Sequence, residues 1–302
     1  MIEIFLGFAL LASAIIANKI VLASIAPALF VGIRMLAAGL ILYVFFFRKS
    51  VRLSYSYLKN DLPILLSISL LTTLIPSLLK AYALKYLVSS KATFLGSFDP
   101  FVTAIYAYFL WHERLSLQKI VGMIIGFSGI LILLSTTSSQ ENEIMVWGML
   151  SYPELAALGA MALGRLGWIL VQKVLRAQRY TVAEINGMTM ILSGSGALLV
   201  ALWLGETRIT IIPGQELRLL GAMLWTIIIG NVIGYGMYAH FLKSHSATLI
   251  SLSGFSVPIF VYIFGWLYLG ESPSLTFLLA SCVTFIGLLI FYQAEIKKGL
   301  LS

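Results

Sequence analysis

The chain has 302 residues, of which 60% are hydrophobic and 11% charged, with a formal net charge of +8 and a mean hydropathy of +0.99. A soluble domain carries about 45–50% apolar and about 25% charged residues. This composition therefore calls for lipid as solvent and leaves no room for a sizeable soluble or nucleic-acid-binding domain. The single Cys282 excludes an internal disulfide, a Cys-x-x-Cys redox site and a thiolate zinc cluster.

The apolar pattern starts at residue 4. Only Glu3 precedes it as a charge, and Ala26-Pro27-Ala28 is a poor cleavage site, so the first segment reads as a retained helix rather than a secretory signal. Ten membrane helices are predicted, over 3–22, 27–47, 62–84, 89–111, 119–136, 154–175, 182–204, 217–242, 247–269 and 275–294. Runs of this length are too long for barrel strands, and backbone groups in hydrocarbon must pair within their own segment. A basic loop from Arg48-Lys49 to Asp61 follows helix 2. The turn His112-Glu113-Arg114 follows helix 4, and the polar stretch TSSQENE (137–143) follows helix 5.

Lys and Arg are distributed unevenly between the two sets of loops. With the N-terminus cytoplasmic, twelve fall on the cytoplasmic side and six on the other, namely Lys19, Lys80, Lys85, Lys91, Arg208 and Arg218. The positive-inside rule then places both termini in the cytoplasm. The expected location is the cell inner (plasma) membrane.

Shifting the chain by 158 residues aligns Leu84-Lys85 with Leu242-Lys243, Gly96 with Gly254, Pro100 with Pro258 and Glu113 with Glu271. Eleven identities fall in the 48 positions 84–131, including Ser116-Leu117 on Ser274-Leu275 and Gly129 on Gly287. A weaker echo pairs Lys19 with Lys173 and Gly32 with Gly187. The reading is an all-α membrane protein of ten helices, made of a first five-helix repeat (1–136), an extracytoplasmic linker (137–153) and a second repeat (154–302). Five is odd, so the copies cross the membrane with opposite topology, as in secondary transporters that rock around a midplane site.

The run 19–42 (KIVLASIAPALFVGIRMLAAGLIL) resembles the opening of ten-helix EamA-type members of the drug/metabolite transporter superfamily. So does the repeated order of a helical Pro, a Glu about thirteen residues on, and a Gly-containing helix. It occurs as Pro100, Glu113, Gly122 and Gly129, and again as Pro258, Glu271 and Gly287 with Ala280 in place of the earlier Gly. The resemblance implies metabolite transport, a central cavity between the two halves and a peripheral fifth helix in each half. The loop Glu reads as a helix-terminus residue rather than a ligand, since an acid suits a helix N-terminus.

Polar residues at membrane depth are the site candidates. Asp99 is read at the middle of helix 4, on a stripe with Ala92, Gly96, Thr103 and Tyr106. It is either a proton- or cation-coupling carboxylate or a structural partner of Arg34, Arg165 or Lys91. Arg34 in helix 2 serves packing, charge pairing or substrate contact. Arg165 in helix 6 and Trp168 one turn on offer a guanidinium and a ring to a substrate carboxylate and apolar group; the alternative is a pair with Asp99. Asn231 and Tyr235 share a face of helix 8, and Tyr82 ends helix 3. Pro76, Pro100, Gly234 and Pro258 are candidate hinges or helix breaks. No metal ligand set is read, and no cofactor is expected.

An intramembrane enzyme lacks support: there is no His-Glu-x-x-His, no second deep carboxylate beside Asp99, and no ATP-binding loop. The expected function is a secondary transporter of small, amino-acid-like, zwitterionic or weakly anionic metabolites, working by alternating access as a proton-coupled exporter. The alternative is a facilitator, exchanger or importer of a nucleoside-like or sulfonium metabolite of the S-adenosylmethionine type, for which Trp168 and Tyr235 would matter through cation–π contact. A non-transporting scaffold is more remote. The partners expected are a small-molecule substrate, membrane lipid and protons; no nucleic acid is expected, and the protein is expected to be a monomer.

Overall fold

The computed structural model describes residues 2–46, 55–135, 146–147, 150–176, 180–234, 236–237, 241, 247–272 and 274–297. The basic loop over 47–54 and the stretch 137–143 lie outside the described residues. The elements are α1 (Ile2–Leu22), α2 (Pro27–Phe46), α3 (Tyr55–Ile68), α4 (Ile75–Tyr86), α5 (Ser89–Gly96), α6 (Asp99–Trp111) and α7 (Leu117–Leu134), then α8 (Tyr152–Arg176), α9 (Val182–Trp203), α10 (Glu216–Trp225), α11 (Ala247–Gly254), α12 (Ser256–Phe264) and α13 (Leu275–Lys297). Strands β1 (Val146–Trp147) and β2 (Leu150–Ser151) form a two-residue antiparallel pair just before α8. Among the described residues nine helical stretches are long and apolar enough to cross a membrane. This is an all-α membrane protein.

Helix 4 is not among the nine, and it is two helices. α5 stops at Gly96, Ser97 and Phe98 turn with ψ near zero, and α6 starts at Asp99. Helix 9 is broken at the matching place, with α11 ending at Gly254, Phe255 at ψ −13° and α12 starting at Ser256. For Pro100 and Pro258, read as hinges or helix breaks, the helices are broken just ahead of both residues. Each sits in the first turn of a restarted helix, where its missing N–H costs nothing.

Helices 3 and 8 depart from the ideal differently. Ser69–Leu74, between α3 and α4, and Thr226–Ile233, following α10, are widened into π-helix. The amide of Ile75 donates to Leu70 O, and that of Gly234 donates to Ile229 O, each five residues back. The irregularity thus lies ahead of Pro76 and Gly234, not at them, and Gly234 itself has helical angles (φ −58°, ψ −45°). A third widened stretch, Gly265–Leu269, ends at Gly270 with φ +69°.

The chain divides into two compact units, and each draws segments from both sequence halves: 17–85 with 162–239, and 1–16 with 86–161 and 240–302. In the first unit, α2 crosses α9 in antiparallel register. Gly39 faces the backbone of Gly187 and Ile191, and Gly194 faces Leu36, so closely that a Cβ at either would collide with main chain. Small residues allow this backbone approach in a membrane, where tight van der Waals packing replaces the hydrophobic drive. The N-terminus of α2 is capped by Glu206, whose Oε2 accepts from Ala28 N at 2.9 Å. Lys19 Nζ donates to Leu84 O (2.6 Å) and Lys85 O (3.1 Å) at the end of α4.

In the other unit, α7 packs on α13, also antiparallel. Gly122 faces Gly287 O, and Gly129 faces Ala280 O; Gly129 faces Thr284, and Gly287 faces Gly126. Adding 158 to one member of each contact and subtracting it from the other converts the first contact into the second and the third into the fourth. The interface is thus self-complementary under the repeat, like that of a two-fold dimer. A fully buried aromatic cluster surrounds the helix 4 break. Phe94 meets Phe98, Phe255 and Phe277 at centroid distances of 5.3, 6.0 and 5.9 Å, so the two broken helices touch at their breaks.

Candidate functional site

The sequence candidates fall into both units. Asp99 and the two break prolines belong to one; Arg34, Arg165, Trp168, Asn231, Tyr82, Pro76 and Gly234 belong to the other. Tyr235 lies outside the described residues.

Asp99 is not mid-helix. It is the half-buried first residue of α6, and Thr103 Oγ1 donates to its carbonyl at 2.7 Å. The expected stripe from Ala92 to Tyr106 is accordingly split across two helices. The buried ion pair of this unit joins Lys91 to Glu154 at 2.6 Å, with side chains 7% and 2% exposed. Sequence reasoning assigned Lys91 to a loop and passed over Glu154. The signal for Glu154 was present as Ser151-Tyr152-Pro153-Glu154, a capping box: Ser151 N and Oγ donate to Glu154 Oε2 at 2.6 and 2.9 Å, and Glu154 N returns a bond to Ser151 Oγ. Glu271 is a helix-terminus residue as expected, but the terminus belongs to α5. Its Oε1 accepts from Ser89 N at 3.0 Å and Ser89 Oγ at 2.7 Å.

In the unit of α2 and α9, Arg34 projects from α2 over the Phe30 ring, 4.9 Å from its centroid, and donates to Asn18 Oδ1 at 3.2 Å. Arg165 is half-buried on α8 between two close-packing glycines. A Cβ added at Gly164 would meet the Pro76 ring at 3.8 Å, and Gly167 abuts the backbone of Thr72 in the widened segment. Trp168 packs on an apolar cluster of Ile68, Val171, Val174, Tyr180 and Ile185, which gives the ring a core role. Tyr82 is half-buried in α4.

Asn231 is 2% exposed and sits inside the second widened segment. Its Nδ2 donates to Met35 Sδ at 3.1 Å, next in sequence to Arg34, while its Oδ1 has no hydrogen-bond partner among the described residues. The 158-residue shift places Asn231 on Thr73 of the first widened segment, where the polar side chains are paired. Ser69 Oγ and Ser193 Oγ are 2.8 Å apart, and Thr72 and Thr73 hydroxyls are 3.0 Å apart.

Along α2, α8 and helix 8 one unit thus supplies two guanidiniums and an amide, a set that suits a carboxylate-bearing organic molecule with further hydrogen-bonding groups. No group of three or more His, Cys, Asp or Glu placed to hold a metal occurs among the described residues.

The sequence matches the EamA-like transporter family over residues 1–135 and 152–293. It is 30% identical to the S-adenosylmethionine/S-adenosylhomocysteine transporter of Chlamydia muridarum, across 98% of this chain and 92% of that protein. The transporter of the same name in Chlamydia trachomatis is also 30% identical, across 98% and 90%. A chloroplastic WAT1-related protein of Arabidopsis thaliana is 27% identical over 95% of this chain and 67% of its own length. A solved crystal structure superimposes with a TM-score of 0.67, covering 98% of this chain and 97% of the other at 16% identity, which speaks to fold alone.

Proposed function

The chain belongs to the EamA-like transporter family, and from that premise we propose that it is a carrier of a nucleoside-bearing sulfonium metabolite of the S-adenosylmethionine type, exchanged for its demethylated thioether. The observation that carries this reading is the full-length, 30% match to the two chlamydial transporters. It favours the sulfonium alternative over a proton-coupled exporter of plain amino acids. The two readings share a substrate feature, the zwitterionic amino-acid end. Arg34 or Arg165 would meet its carboxylate.

The carrier is read as ten helices in two inverted repeats, with both termini cytoplasmic. The self-complementary α7–α13 interface, the paired breaks before Pro100 and Pro258, and the paired widened segments support that symmetry. Lys19 and Lys91, which weakened the charge count, bond to carbonyls or a carboxylate within the protein. Their location therefore follows internal pairing and says little about topology.

The test is exchange in proteoliposomes loaded with S-adenosylhomocysteine and offered labelled S-adenosylmethionine. Uptake that requires the internal thioether and competes with neither methionine nor serine is expected. Accumulation driven by a proton gradient without any internal substrate would overturn the exchange reading in favour of coupling. In that case Asp99→Asn should abolish accumulation and spare exchange.

A further inference from the structure

The two widened segments have different causes. In helix 3 the widening precedes Pro76, whose ring would otherwise strike the carbonyl four residues back, so a proline explains it. In helix 8 the corresponding position is Gly234, and no proline lies between α10 and Gly234. A widened turn without a steric cause is a recurrent mark of functional positions. This one carries Asn231, whose side chain is 98% buried (2% exposed) with its oxygen unbonded, although an unmet buried acceptor is costly. Its nitrogen is held only by the thioether of Met35, a weak acceptor.

Resting on the function proposed above, we infer that Asn231 is a specificity-determining residue of the substrate site, its Oδ1 accepting a hydrogen bond from a neutral donor on the nucleoside part, with Met35 forming the apolar wall. The donor is neutral because Asn231 is 2% exposed and a buried amide oxygen alone cannot offset the desolvation of an ammonium group. On a nucleoside, the neutral donors are the exocyclic amine of the base and the ribose hydroxyls. Substrate reaches Oδ1 by parting α2 from the widened segment, which exchanges the amide–thioether contact for contacts with the ligand. A site that hydrogen-bonds a substrate group rejects the analogue lacking it, because its own polar atom is then left unpaired.

The experiment compares binding of adenosine, purine riboside (no exocyclic amine), 2′-deoxyadenosine and S-methylmethionine to the purified full-length protein and to Asn231→Leu. Exchange of S-adenosylmethionine is measured in parallel. The expected result is that the native chain prefers adenosine by about tenfold, as one hydrogen bond confers. The preference would be over purine riboside if the amine is the donor and over 2′-deoxyadenosine if the ribose is. Asn231→Leu should erase that preference and leave S-methylmethionine binding unchanged. Should the leucine variant fail to fold, Asn231→Thr, which takes the residue of the repeat-related position, is expected to weaken adenosine without abolishing it. Retained discrimination in the variant alongside native exchange of S-adenosylmethionine would overturn this inference and leave the transport reading intact. Loss of discrimination in a protein whose native form binds adenosine but exchanges no S-adenosylmethionine would overturn the transport reading alone. Native protein that binds no adenosine compound would overturn both.

Discussion

The widened turns of helices 3 and 8 occupy equivalent positions in the repeat and have opposite polar chemistry. Around Ser69–Leu74 the hydroxyls close on one another: Ser69 with Ser193, Thr72 with Ile68 O and with Thr73. Around Thr226–Ile233, Asn231 keeps an acceptor in reserve. The first arrangement holds α3 and α9 together and spends all its hydrogen bonds within the protein. The second forgoes stability, which is the usual mark of a site shaped for something that is not part of the fold. A duplicated irregularity can thus be structural in one copy and functional in the other.

Variants can break this contrast, and the largest effect is expected where a satisfied buried charge is orphaned. Lys91→Met removes the ammonium partner of Glu154, which is 2% exposed and keeps its bonds from Ser151. A loss of about 3 kcal/mol is expected, near the low end for breaking a buried pair because the Ser151 bonds persist. A thermal melt of the purified protein would read it, and ligand preference should survive in the folded fraction. Next, Gly167→Val drives two methyls into Thr72 at the first widened turn, where even a Cβ collides with main chain. About 1–3 kcal/mol is expected, with Gly221→Ala, which meets nothing within 4 Å, as a silent control. Ser193→Ala strips a bond from the Ser69 network and should lower stability by about 1–2 kcal/mol without altering substrate ranking. If it changes the ranking while Asn231→Leu does not, the roles of the two turns are reversed. The smallest effect is expected from Pro76→Ala. If the proline holds the first turn open, its removal should slow hydrogen exchange at 72–75 and shift stability by no more than about 0.5 kcal/mol. An unchanged exchange pattern would mean that Pro76 is not what widens helix 3.

Much of the architecture could be read in the sequence. The apolar runs set the helix edges to within a few residues in most cases, because a span must be about 20 residues long in hydrocarbon. The shared Gly96/Gly254 and Pro100/Pro258 pairs marked the breaks in helices 4 and 9, with each proline in the first turn of the restarted helix. The capping boxes Ser151–Glu154 and Thr181–Glu184 were equally legible as Ser/Thr-x-x-Glu and went unread beside the hydropathy signal. The site was less legible. Trp168 looked like a ligand face because it lies one turn from Arg165, but a helix has more than one buried side, and the apolar cluster takes this one.

The sequence by itself determined that this chain suits lipid, is helical and belongs with EamA-like transporters, since hydropathy, period and the order of Pro, Glu and Gly are local quantities written residue by residue. The tertiary structure alone decided which buried polar groups are spent and which are left over. Lys91 finds Glu154, Ser69 finds Ser193, and Glu271 finds the N-terminus of a helix some 180 residues away. The oxygen of Asn231 finds nothing. Whether a hydrogen bond is met depends on ångström-scale approach between helices distant in sequence, and in a membrane almost any apolar face can pack against any other, so composition and spacing leave that pairing open.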